Sequence, residues 1–169
     1  MLIYRMNIYS HIRNGWFIIV GVFICINFQH ILPLLHRTQT KENYTLMGIF
    51  VFVLFVLPAI ILHVNYYFVN RGDVIEYSSQ DKVVMITHRG VTTFFTMDDI
   101  SHVEKSISFN EAAKRVPVVS WDKYNHSVIY LTNGNVFTIT SLLVPDFDLP
   151  IENERIKIKR NIYRLAKIR

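Results

Sequence analysis

Three histidines in the second half of the chain, His88, His102 and His126, stand near carboxylates: Asp98 and Asp99 precede His102, and Asp122 precedes His126. Imidazole and carboxylate together suit zinc or a similar ion. Their spacing matches no ligand set, however, and each falls beside a turn, where polar side chains serve local hydrogen bonding. Asp98-Asp99 reads the same way, as turn chemistry, because nothing places a second carboxylate opposite for acid–base work. No phosphate-binding Gly-rich loop, dinucleotide fingerprint, His-Glu-x-x-His or Gly-x-Ser-x-Gly occurs. No catalytic activity, metal or cofactor is expected.

Binding chemistry is better represented. In Trp121-Asp122-Lys123-Tyr124-Asn125-His126 two large aromatics stand beside charge, the composition of interface anchors. Trp121 and Tyr124 are therefore candidates for partner contact; packing of the ring into the domain is the plainer alternative, and the exposure of Trp121 decides between them. Between Arg155 and Arg169 there are seven Lys or Arg and no acid. At 100° per residue Lys157, Arg160, Arg164 and Lys167 fall opposite Ile151, Ile158, Ile162 and Leu165, which predicts a helix over about 151–168. Its basic side would complement the helix C-terminus or attract anionic lipid, at about 1 kcal/mol per cation near the surface. Tyr163 is the only aromatic in that segment, so nucleic acid is not an expected partner.

These groups need elements to hold them, and the largest elements are apolar. The chain has 169 residues, 51% of them hydrophobic and 18% charged, with a net charge of +5. Two stretches of about 20 residues, the length that crosses roughly 30 Å of hydrocarbon, predict spans over about 16–36 and 46–68. A short polar link from Arg37 to Thr45 makes them an antiparallel hairpin. No small-x-small cleavage pattern follows the first, so it is not a removable signal. Pro58 is expected to kink the second span, and Trp16, Tyr66 and Tyr67 to form an aromatic belt.

Polar residues inside a bilayer are where function is sought: Asn27, Gln29 and His30 in the first span, His63 and Asn65 in the second. With a rise of 1.5 Å per residue, His30 and His63 differ by over 10 Å in depth and cannot pair. Asn27, Gln29 and His30 remain candidates for interhelical hydrogen bonds, within the hairpin or in an oligomer. Arg5, Arg13, Arg71 and Lys82 outweigh Arg37 and Lys41, which places both termini in the cytoplasm. Cys25 is the only cysteine, so no disulfide can form within the chain.

From Arg71 the apolar period changes to two. Strands are predicted over 74–78, 82–88, 91–96, 100–107 and 118–121, with a helical turn near 110–114. Asn133-Gly134 joins two more as a hairpin, expected as a type I′ turn with positive φ at both centres. The domains are thus 1–70, an N-terminal segment and hairpin, and 71–169.

This order resembles the bacterial pleckstrin-homology-like membrane proteins, in which two spans precede the domain. The resemblance rests on Lys82-Val83-Val84-Met85-Ile86, on Met97-Asp98-Asp99-Ile100-Ser101-His102-Val103-Glu104, on the Asn133-Gly134 hairpin and on the terminal segment. It implies an α+β fold, a small β-barrel or sandwich capped by a C-terminal helix. It also implies a non-enzymatic interaction module, integral to the inner membrane, with a protein partner or a second copy of itself. The turn Ser78-Ser79-Gln80-Asp81-Lys82 holds too few cations for a polyphosphate ligand. Two other readings are a sensor of anionic lipid through the basic terminal helix, and a subunit of an oligomeric channel or carrier.

Overall fold

The computed structural model describes residues 2–28, 30–31, 41–78, 82–116, 119–145 and 147–167, with 41 and 42 as backbone only. Leu2–Arg5 forms a strand, β1. Asn7 then caps a helix: its side chain accepts the Ser10 N–H at 2.9 Å, and the Ser10 hydroxyl accepts the Asn7 N–H at 3.5 Å. The capped helix, α1 (Ile8–Ile26), therefore begins well ahead of Trp16. Lys41–Val51 (α2), a π turn at Phe52–Val56 and Leu57–Asn70 (α3) follow in one line. Pro58 accounts for the π turn. It has no N–H to offer the carbonyl four residues back, and just ahead of it the Leu57 N–H reaches five back, to the Phe52 carbonyl. Gln29 and residues 37–40 of the polar link lie outside the described residues.

Glycines let the helices approach. A Cβ on Gly21 would stand 2.8 Å from Val56 Cγ2, and one on Gly48 3.1 Å from the Cys25 carbonyl oxygen. Small residues at a helix contact let the two backbones come close.

The remaining strands are β2 (Val74–Ser78), β3 (Val83–His88), β4 (Val91–Thr96), β5 (Ile100–Ile107), β6 (His126–Leu131), β7 (Val136–Thr140) and β8 (Ile156–Arg160). They make two four-stranded sheets, ordered β1-β2-β3-β4 and β7-β6-β5-β8. β1 pairs antiparallel with β2, Leu2 opposite Tyr77 and Arg5 opposite Val74. The sequence-based division at residue 70 separated these partners, because a four-residue strand carries too little alternation to be read. The consequence is structural: one strand pair clamps both ends of the helical excursion.

Alternating side chains from both sheets meet in an apolar core that includes Ile75, Val84, Ile86, Phe95, Ile100, Val103, Ile129 and Ile139. Between β5 and β6 a short helix, α4 (Phe109–Ala112), is capped by the Ser108 side chain accepting the Glu111 N–H. The Asn133-Gly134 hairpin forms, but not as type I′. Gly134 alone is left-handed there, at φ 87°, and its N–H closes onto the Leu131 carbonyl at 3.1 Å, a tight turn followed by a bulge. The type I′ pattern sits instead at Arg89-Gly90, φ 50° and 82°, between His88 and its partner Val91.

The predicted C-terminal helix is corrected. Asn153–Arg155 is a single 3₁₀ turn, and Ile156–Arg160 runs parallel to β5, Val103 opposite Ile156 and Ile107 opposite Arg160. Ile156-Lys157-Ile158-Lys159 alternates as well as it repeats at helical spacing. Its β-branched residues favour the strand, and the open edge of β5 supplies the hydrogen bonds. No terminal helix caps the sheets and no closed barrel forms among the described residues: β4 and β7 are both sheet edges.

Candidate functional site

Two kinds of place on the molecule carry polar groups in quantity: a buried seam where the helices meet the domain, and open clefts beside it. The seam is built on α3, whose buried residues Ala59, Leu62, Tyr66, Val69 and Asn70 share one face. Trp121, Tyr124, Leu142 and Ala166 pack against that face. Its polar groups are matched almost one for one. Tyr66 donates to the Arg164 carbonyl at 2.9 Å and meets His126 Nδ1 at 3.1 Å. Asn65 holds Ala166 twice, giving to its carbonyl at 3.1 Å and taking its N–H at 2.8 Å. Asn70 gives to the Thr138 carbonyl at 2.7 Å and to Asp73 at 2.9 Å, and takes the Thr140 N–H at 2.9 Å.

Arg164 is the centre of this seam, 2% exposed. Its guanidinium donates to the carbonyls of Trp121 and Tyr124, to that of Asn161 at 2.8 Å and to that of Ile162 at 3.3 Å. Burial pulls it below its ordinary range, and Tyr66, Asp122 and Glu111 oppose that shift. Beside it, burial and the Arg164 charge push His126 down to about 4, so this imidazole is neutral at physiological pH.

From α1, Asn14 Nδ2 and an Arg13 terminal nitrogen both donate to the Ser141 carbonyl at 2.9 Å. His11 Nδ1 and His63 Nε2 lie 2.9 Å apart, and His63 Nδ1 is 2.8 Å from the Tyr124 hydroxyl, which donates to the Asn14 carbonyl at 3.1 Å. At the far end, the Ser120 hydroxyl donates to the Phe55 carbonyl in the π turn.

An open groove of about 490 Å³ lies between the edges of β4 and β7, where the two sheets are not joined. Ile75, Ile86, Phe137 and Ile139 are among the apolar residues lining it. Its polar residues include Arg89, Lys167 and the pair His88–Asp73, Nδ1 to Oδ1 at 2.9 Å. An apolar wall with a few charged groups is the usual make-up of a binding site.

The residues singled out in the sequence are dispersed rather than gathered. Trp121 is 8% exposed and Tyr124 fully buried, so packing and not partner contact is their role. Lys157, Arg160 and Lys167 are exposed, but Arg164 is interior, and without a helix the four share no stripe. Asn27 turns back onto the Phe23 carbonyl at 2.9 Å, inside its own helix. His30 is exposed. Tyr66 is seam, not belt. Of the three domain histidines, His88 meets Asp73, His102 stacks on Tyr130 at 4.4 Å, and His126 meets Tyr66, so they form no common site. His11 and Arg164 were missed as seam residues, and no local spacing announces either one.

Two sheets enclosing an apolar core, with helices set on one side and an open groove at the unjoined edges, define an α+β interaction module. The family model described as the PH domain matches residues 3–150, and the chain belongs to the PH domain family. That match takes in β1 and both apolar helices, and it ends before β8. PH domains are typically non-enzymatic binding modules. No curated protein and no solved structure matches the chain.

Proposed function

We propose that this protein is an integral membrane protein whose helical hairpin holds a PH domain rigidly at the cytoplasmic face of the inner membrane, where its groove takes a segment of a protein partner. The observation that carries the reading is the apolar surface of two long helices. They run 19 and 28 residues, with mean hydropathy 1.3 and 2.8, and only 17% and 22% of their apolar windows are buried. Phe23, Ile26, Leu46, Phe50, Ile61 and Phe68 all remain exposed, more than a water-soluble surface tolerates in one place.

Length agrees with position. A helix from Asn43 to Asn70 is about 42 Å long at 1.5 Å per residue, against roughly 30 Å of hydrocarbon. The surplus of about 12 Å is the last eight or so residues, and His63, Asn65, Tyr66 and Asn70 all lie there, bonded to the domain. Both flanks of the hairpin are held by the β1–β2 pair, and their arginines and lysine support the cytoplasmic side. The groove's apolar wall and cationic Arg89 and Lys167 suit an extended, acidic protein segment.

The test is extraction of the full chain from membranes. It should resist an alkaline carbonate wash, need detergent, and keep Cys25 closed to a membrane-impermeant maleimide until detergent is added. Release by carbonate overturns the reading. For the groove, Arg89→Glu with Lys167→Glu should abolish capture of an acidic partner without releasing the chain from the membrane.

A further inference from the structure

The first two turns of α1 are amphipathic the wrong way round for a surface in water. Ser10 and Asn14 are buried against the rest of the molecule, whereas Ile8, Tyr9 and Ile12 are exposed, Ile8 by 79% and Tyr9 by 66%. A helix with one face in water does the reverse. Ile19, Phe23 and Ile26 are exposed as well. At 100° per residue these six apolar side chains fall within about 100° of arc. One apolar stripe therefore runs along the open side of α1 from its first residue to its last.

Lipid accounts for the lower part of that stripe but not for the upper. Asn14 is bonded to the Ser141 carbonyl of the domain. His11 Nδ1 lies 2.9 Å from His63 Nε2, and the other nitrogen of His63 meets the Tyr124 hydroxyl. Ile8, Tyr9 and Ile12 thus stand at the height of the domain, level with the end of α3 that the hairpin leaves outside the hydrocarbon. Ile8 is about 12 Å ahead of Trp16 along the helix axis. Val64 and Phe68, on α3 at this height, are exposed too, and so are Leu2 and Ile3 on β1, a sheet edge among the described residues. An apolar patch of this extent in water marks a contact with another protein.

Two features make that protein a second copy of this chain. Copies inserted in one membrane share their direction and depth. A two-fold axis along the bilayer normal then sets the stripe against itself, Ile8 level with Ile8 and Ile26 with Ile26, apolar to apolar throughout. A different protein would need a stripe of the same length at the same height. Charge permits the match: Arg13 is the only Lys, Arg, Asp or Glu on α1, and it turns to the Ser141 carbonyl, so no like charges of this helix meet across the axis. We infer that the protein is a parallel homodimer in the membrane, its copies joined along α1, with Ile8, Tyr9 and Ile12 closing the contact at domain height. The interface rests on the membrane reading above. None of these three residues lines the groove between β4 and β7, so each copy keeps its own.

The experiment is disulfide trapping of the full chain in its own membranes, before any detergent is added. Ile12→Cys in a Cys25→Ser background, oxidised with copper phenanthroline, should pass for the most part into a species of twice the 19.9 kDa chain mass. Val91→Cys in the same background is more exposed but lies on β4, so it should show only the background of chance collision. Adding Ile8→Lys to the Ile12→Cys chain sets like charges across the axis and should cut the trapped fraction about tenfold. Trapping at Ile12 no greater than at Val91, trapping undiminished by Ile8→Lys, or trapping of Ile12→Cys to a protein of another mass each overturns the proposal. A chain that resists carbonate but fails these tests loses the dimer alone. A chain that carbonate releases loses the membrane reading itself, and the shared direction from which the dimer is argued goes with it.

Discussion

The space between the two sheets and the seam between helices and domain are equally buried, yet they are made of opposite materials. The first is closed by Ile75, Val84, Ile86, Phe95, Ile129 and Ile139, without a polar side chain among them. The second interleaves Leu62, Val69 and Leu142 with Tyr66, Tyr124, His126, Asn70 and Arg164. Apolar burial is strong but has no direction, so it holds two twisted sheets together and tolerates small shifts. Hydrogen bonds require a distance and an angle. A seam made of them fixes how the domain is seated on its helices.

Removing Arg164 is the most severe way to break that contrast. Arg164→Met keeps much of the volume but strands four carbonyls, two of them on Trp121 and Tyr124 inside the seam. The expected loss is about 4 kcal/mol, because buried carbonyls left without donors cost about 1–3 kcal/mol each. Denaturant melts of the full chain in micelles should show it, with Trp121 emission moving to the red as its cover opens. Arg164→Lys should fare little better, since an ammonium cannot reproduce a planar fork of donors.

Acid is the next lever, and as the pH falls it acts first on the seam. His126 titrates at about 4 in the folded chain against an ordinary 6.5. Between those values the unfolded chain binds the extra proton, so the stability is complete above pH 6.5 and falls as the pH drops towards 4. Two and a half units correspond to at most about 3 kcal/mol. His126→Phe should flatten this slope in a series of melts from pH 7 to 4.5. Glu104, held below its usual range by Lys159, loses its contribution only at lower pH.

Isosteric exchange sharpens the comparison directly. Ile129→Leu, in the sheet core, changes shape but not chemistry and should cost under about 1.5 kcal/mol. Asn70→Leu, in the seam, has similar bulk but abandons the Thr138 carbonyl and the Thr140 N–H, and should cost about 2–3 kcal/mol. Equal losses in paired melts would mean that the polar seam is packing like any other.

The same contrast explains what the sequence disclosed. Period two marked β2, β3, β4 and β5, and Asn133-Gly134 marked the β6–β7 hairpin, because each signal is local. Seventeen residues without a polar side chain, Leu46 to Leu62, marked the long helix for the same reason. β1 and β8 escaped because their partners are remote: Leu2 pairs with Tyr77, and Ile156 lies beside Val103. Nothing near Ile156-Lys157-Ile158-Lys159-Arg160 tells a basic strand from a basic helix until the open edge of β5 is known. Site residues failed in the same way. Arg164 reads as one cation among seven, and its burial is decided by carbonyls some forty residues earlier, at Trp121 and Tyr124.

The faintest polar contact tests the contrast at its margin. Ser120 reaches from the domain to the Phe55 carbonyl, in the turn that precedes Pro58. The carbonyl that Pro58 leaves without an N–H is that of Leu54, so Ser120 holds the backbone one residue beyond the disturbance. Ser120→Ala should therefore cost about 1 kcal/mol, a single hydrogen bond, and Ser120→Thr should cost less because the hydroxyl is kept. Pro58→Ala provides the control, because it restores an N–H and lets the π turn relax to ordinary helix. In that background the loss on Ser120→Ala should shrink, a coupling that a double-mutant cycle of melts measures. If the two losses simply add, Ser120 is an incidental contact, and the ordered seam ends at His63 rather than extending to the π turn.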